Sequence, residues 1–312
     1  MKRVTYQGWE DAIEIQNNSI RIVIVPQIGR IMHFGPVDGP NLIWINPELE
    51  GKILTDFSPE LESPDSEWAN FGGDKVWPVE QFRWPDVNER AWPPDPWFDG
   101  SPHEVEILSD GITLFGPVSP FCGARCIRTI KIEEAGSRVM IEQRIEKVQS
   151  GRQLKLEPIP MTIWSVTQVI QPDEILFPLN PESSLPDQIF IYDDNPVTKS
   201  NLSRKNGLCA FKPSRTDHQK IGTDGDGWLA AICGDHAFVQ QLKRLPDAIY
   251  PEGGLSVEVY TAPESYIELE ILSPLHNLEV EERIESTITW ELISLNSKAI
   301  EEKREELQRK LS

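Results

Sequence analysis

The sequence predicts an all-β fold. Short segments rich in β-branched residues recur along the chain, turn signals separate them, and apolar and polar side chains alternate within them. SIRIVIV at 19–25 is the first such segment, set off by Asn17-Asn18. RCIRTIKI at 125–132 and RVMIEQRI at 138–145 follow, with Glu134-Ala135-Gly136 as the turn between them. Val139, Ile141 and Ile145 share one face of the latter, and Arg138, Glu142 and Arg144 share the other. That is the period-2 signature of a strand covered on one side. SVEVY at 256–260, YIELEIL at 266–272 and RIESTITWEL at 283–292 complete the set. In the last, Ile284, Ile288, Trp290 and Leu292 alternate with Glu285, Thr287, Thr289 and Glu291.

One helix is expected, at about 297–311, where Ile300, Leu307 and Leu311 form a thin apolar stripe. Spacings of four residues (Glu301/Glu305, Glu305/Arg309, Glu306/Lys310) give it contacts of mixed sign. Such a helix is expected to lie outside the domain, largely solvated. Between 51 and 102 the alternation fades, prolines cluster, and five of the ten tryptophans appear: Trp68, Trp77, Trp84, Trp92 and Trp97. Long irregular stretches are functional or disordered, and disordered ones are poor in aromatics. An ordered Trp/Pro-rich insertion is therefore expected, within a single domain spanning 1–312 that shows no linker and no repeat.

A chain of 312 residues can bury a large core. Its formal charge of −20 argues against nucleic acid or an anionic membrane as the main partner, since both demand a basic surface. No run approaches the ~20 apolar residues that span a bilayer. The start, MKRVTYQGWEDAIEI, has no apolar stretch of the kind a secretory signal carries. With only four cysteines (Cys122, Cys126, Cys209, Cys233), a soluble cytoplasmic protein with free thiols is expected.

Two stretches carry candidate chemistry. NFGGDKVWPVEQFRW at 70–84 sets Gly72-Gly73 before Asp74 and Lys75, then Trp77 and Gln81. The glycines are expected to form a turn open to a ligand and to deliver both charges there. An indole, flat and apolar with a polar edge, suits the C–H face of a sugar. A plain turn with a surface ion pair, and indoles that merely pack the loop, is the alternative. On a strand, YIELEIL turns Tyr266, Glu268, Glu270 and Leu272 to one side, with the two carboxylates about 6.5–7 Å apart. SVEVY adds Glu258 and Tyr260, which share a face. Carboxylates on one concave surface raise each other's pKa, which is how a sheet makes a general base; a solvent-facing polar side is the alternative. DGDG at 224–227 begins like a calcium loop but has Trp228 at the next ligand position. The five histidines lack paired ligand spacing, and no P-loop, dinucleotide fingerprint or G-x-S-x-G elbow occurs, so no metal or cofactor is expected.

The segment IVIVPQIGRIMHF with Pro26 and Gly29, NFGGDKVWP, IWSVTQ at 163–168, DAIYPEGGLSVEVYT at 247–261 and Glu270–Pro274 together resemble the galactose mutarotase-like superfamily, and more narrowly its DUF4380 branch. The resemblance implies a β-supersandwich of two large antiparallel sheets with a concave face that binds a small carbohydrate. In that superfamily's mutarotases a glutamate just before the last proline-containing turn removes the anomeric hydroxyl proton, and a histidine protonates the ring oxygen. By position the glutamate falls on Glu270. Where the histidine would stand, this chain reads MTIWSVTQV, with Trp164, Ser165 and Gln168, which leaves Lys75 or His236 as proton sources. The implied activity is of aldose 1-epimerase type, with Glu270 as base. The expected substrate contacts are Asp74, Lys75, Trp77, Gln81, Trp164, Glu258, Glu268 and Lys220, the last within QKIGTDGDGW. A monomer or weak homodimer is expected. A non-catalytic sugar-binding module using the same residues, and a partner-binding protein using the Trp-rich insertion, are the competing expectations.

Overall fold

A computed structural model describes residues 1–57, 67–152, 158–192, 196–263 and 266–311, so residues 58–66 of the Trp/Pro-rich insertion lie outside it. Among the described residues the strands assemble into two ten-stranded sheets and a two-stranded ribbon, Ile159–Met161 with His276–Leu278. Every strand pairing is antiparallel (for example Glu268 opposite Gln168, and Ile141 opposite Ile288). The alternating segments found in the sequence are strands here, among them Ile20–Val25, Ala124–Ile132, Arg138–Lys147, Val257–Thr261, Ile267–Leu272 and Arg283–Ser294.

Alternation decides which side of each strand enters the space between the sheets. Phe34 from the first sheet meets Phe238 and Trp290 from the second, with ring centroids 4.9 and 5.4 Å apart. Ile22, Ile24, Leu269 and Ile271 fill the same layer from one side and Ile141 and Ile288 from the other. Each fully buried side chain of this size contributes about 1.5–3 kcal/mol relative to exposure. The layer also holds a polar seam. Arg128 of the second sheet pairs with Asp74 of the first, Thr167 donates to Asp74 at 2.8 Å, and Gln240 donates to Thr167 at 2.7 Å.

Within the insertion the chain is not irregular throughout, because Asp74–Trp77 is a strand in the middle of the first sheet, between Arg30–Pro36 and Trp164–Val169. The double glycine before it adopts φ of +87° and +79°. A Cβ on Gly72 would stand 2.3 Å from the Trp44 carbonyl oxygen, and one on Gly73 2.7 Å from that of Ile31. The glycines therefore admit neighbouring backbone, not a ligand, and they lead into a strand instead of presenting both charges on a turn.

The C-terminal helix, Ile300–Leu311, is more firmly held than its thin stripe implies. Leu307 is fully buried against Leu176, Ile293 and Leu295. Arg304 makes a two-pronged ion pair with Glu174, and Glu306 accepts the backbone N–H groups of Asn296 and Ser297 at 3.0 Å. Among the described residues no helix is long and apolar enough to cross a membrane.

Candidate functional site

Side chains that point away from the inter-sheet layer form the open face of the first sheet. Across Asp74–Trp77, Trp164–Val169, Ile267–Leu272, Val257–Thr261 and Gln219–Thr223 the register sets Trp77 opposite Trp164, and Gln168 opposite Glu268. Glu258 lies opposite Glu270, and Tyr260 stands opposite both Glu268 and Lys220. Directly opposed residues share a face, so the polar groups fall on two adjacent rows, Lys220–Tyr260–Glu268–Gln168 and Glu258–Glu270.

The insertion closes over these rows and leaves a cavity of about 260 Å³. Trp68, Trp77, Trp92 and Trp164 wall it, together with Tyr260 and Tyr266. Glu268, Glu270 and Lys220 supply its charge, and the exposed Gln81 stands at its edge. Asp99, at the end of the short helix Pro96–Asp99, fixes two of the indoles by accepting from Trp68 Nε1 at 2.9 Å and Trp77 Nε1 at 2.8 Å. Arg30 holds that carboxylate in turn at 2.9 Å.

Glu270 is 1% exposed and accepts from Trp164 Nε1 at 2.8 Å. Burial drives its pKa well above the usual carboxylate value; Lys220, 3.9 Å away, pulls it back, and Glu258 and Glu268 push it up again. Lys220 sits 2.8 Å from Glu258. Burial disfavours its charge, but Glu270 and Glu258 outweigh that and hold its pKa above the ordinary lysine value. Glu268 accepts from Gln168 at 2.9 Å. Lys75, wholly buried, lies 3.5 Å from Glu268 and 5.0 Å from the centre of the Trp77 ring. Burial lowers the Lys75 pKa, against the pull of Glu268.

Five of the expected contacts, Trp77, Gln81, Trp164, Lys220 and Glu268, meet the expected base Glu270 at the cavity. Lys75 stands behind the wall, touching it through Glu268 and the indoles. Glu258 lies on the same face but is fully buried, held by Lys220 and by the Tyr192 hydroxyl at 2.5 Å. Asp74 is elsewhere. One residue before Lys75 on a strand, it faces the opposite way, into the layer between the sheets, where Arg128 and Thr167 saturate it. His236 belongs to the second sheet, paired with Cys233 and Ser294, so it is no neighbour of Glu270. Tyr260 and Tyr266 were legible as same-face companions of Glu258 and Glu268, since each lies two residues from its glutamate. Trp68 and Trp92 carried no such signal, because irregular chain has no period. Among the described residues no group of three or more histidine, cysteine or acidic side chains is placed to hold a metal ion.

Residues 11–293 match the family described as Domain of unknown function (DUF4380). The chain belongs to that family. No curated protein matches this DUF4380 chain in sequence. Among solved structures it is similar to a protein of Klebsiella pneumoniae provisionally called an aldose 1-epimerase, with 12% identity over 99% of this chain and 85% of that one, at a TM-score of 0.64. A galactose mutarotase-like protein from Lactobacillus casei superposes at 0.55, with 10% identity over 90% of this chain and all of the other. An Escherichia coli protein, also provisionally called an aldose 1-epimerase, does so at 0.50, with 11% identity over 91% of this chain and 99% of the other. At such identities the likeness is one of fold: this DUF4380 chain has the galactose mutarotase-like fold.

Proposed function

We propose that the DUF4380 chain binds a carbohydrate in this cavity and interconverts its anomers, with Glu270 as the base. The observation that carries the reading is Glu270 itself, a carboxylate sunk at the foot of a chamber walled by four indoles. Indole faces suit the C–H surface of a pyranose, and the polar groups among them suit its hydroxyls. A carboxylate whose pKa is raised by burial is a stronger base than a solvated one and serves proton abstraction nearer neutrality. The proteins of like fold are named for the same chemistry.

Freshly dissolved aldoses, assayed by polarimetry and by NMR exchange between anomers, test the proposal. Acceleration by the wild type is expected, with a loss of about 10²-fold or more in Glu270→Gln. Retained acceleration in that variant removes Glu270 from its role. Ligand-dependent quenching of tryptophan emission without acceleration makes the protein a binding module instead.

A further inference from the structure

Ring opening needs a proton donor for the ring oxygen as well as a base. We infer that Tyr260 is that donor, resupplied by His218, an assignment that rests on the anomer-interconverting reading of the cavity. Tyr260 lines the cavity from Val257–Thr261 and stands opposite Glu268, one register step from the Glu258–Glu270 pair. Diagonal neighbours across antiparallel strands lie about 7–8 Å apart, room for the anomeric centre between phenol and base. The Tyr260 hydroxyl is 2.7 Å from His218 Nδ1, and the two rings stack with centroids 5.9 Å apart. His218 is exposed, so the pair links the cavity to solvent through one imidazole, the side chain suited to passing protons in neutral water.

The two lysines are committed. Lys220 is held between Glu258 and Glu270, and Lys75 lies behind the wall. Tyr260 itself faces Glu268 across the strand, Glu270 diagonally and Lys220 on its other side. Burial first, then the two carboxylates, raise its pKa, so the phenol is protonated at neutral pH.

The transfers balance. Glu270 takes the proton of the anomeric hydroxyl, that oxygen's electrons form the aldehyde, and the bond from the anomeric carbon to the ring oxygen breaks. The ring oxygen takes the phenolic proton of Tyr260, and the phenolate takes one from Nδ1 of His218, which water refills. Reclosure on either face of the aldehyde runs the same transfers backwards, so no proton is consumed.

Anomer exchange measured by NMR on a panel of neutral, amino, acidic and phosphorylated aldoses tests this. Tyr260→Phe is expected to slow exchange by about 10²-fold or more while ligand quenching of tryptophan emission is retained. His218→Ala, at an exposed position, is expected to slow it by about tenfold and to regain rate on addition of free imidazole, a rescue that a structural role would not give. A wild type that accelerates while Tyr260→Phe keeps its rate overturns the assignment alone. A slow His218→Ala that imidazole does not revive removes His218 from it. A wild type that accelerates no aldose removes the proposed function and this assignment together.

Discussion

Glu270 shows what one residue's surroundings do to its charge. Its carboxyl is held above the usual range by burial, partly offset by Lys220, so the ionised form is carried in the fold at a cost. With the folded value above the unfolded one, the stability contributed is complete below the unfolded pKa and is lost as pH rises through the folded one. Glu270→Gln has no such charge, and Lys220 keeps Glu258 as its partner. The variant is therefore expected to gain stability over wild type as pH rises from 4 to 8, with the two alike at the acid end, as read from unfolding midpoints across that range. A wild type that stabilises relative to the variant with rising pH contradicts the direction given. The facing of this carboxylate was legible, since aliphatic Ile267, Leu269 and Ile271 claim the core and leave Glu268 and Glu270 the other side. The facing of Asp74 was not. Two glycines and a following proline obscure the strand Asp74–Trp77, and without a strand no alternation separates Asp74 from Lys75.

Among elements, the short helix Pro96–Asp99 has an influence beyond its four residues. Asp95 caps it, accepting the Trp97 N–H at 3.0 Å, and Asp99 at its end binds Arg30, Trp68 and Trp77 at once. The insertion is thereby fastened to the first sheet through Arg30, just after Gly29 in the early turn. Asp99→Ala would leave Arg30 buried without its carboxylate and free both indoles. A destabilisation of about 3–5 kcal/mol is expected in chemical denaturation, with weaker ligand quenching of tryptophan emission. An unchanged midpoint would mean that backbone oxygens of Gly72 and Asp99 suffice for Arg30. The indoles predict an ordered insertion, but not which acid organises it. Nothing local distinguishes Asp99 from its neighbours; its partners lie 22 to 69 residues away.

For the whole molecule, the two sheets meet across hydrocarbon and a buried ion pair. Asp74→Ala would strand Arg128, which is 2% exposed, and is expected to cost about 3–5 kcal/mol in denaturant unfolding. Ligand affinity of the folded variant is expected to stay within about twofold, because Asp74 faces the inter-sheet layer and not the cavity. A large loss of affinity with no loss of stability would return Asp74 to the binding site. By itself the sequence determined the all-β class, the facing of the alternating strands, the terminal helix and the glutamates of the open face, because side-chain direction in a strand is a local consequence of period 2. Tertiary structure decided the rest: that Trp164 reaches Glu270 across 106 residues, that the insertion roofs the same face, and that Asp74 and Lys75 part company. Those outcomes depend on which strands pair and in what register, and pairing is settled by the summed burial of distant segments, a quantity that no single stretch of the chain contains.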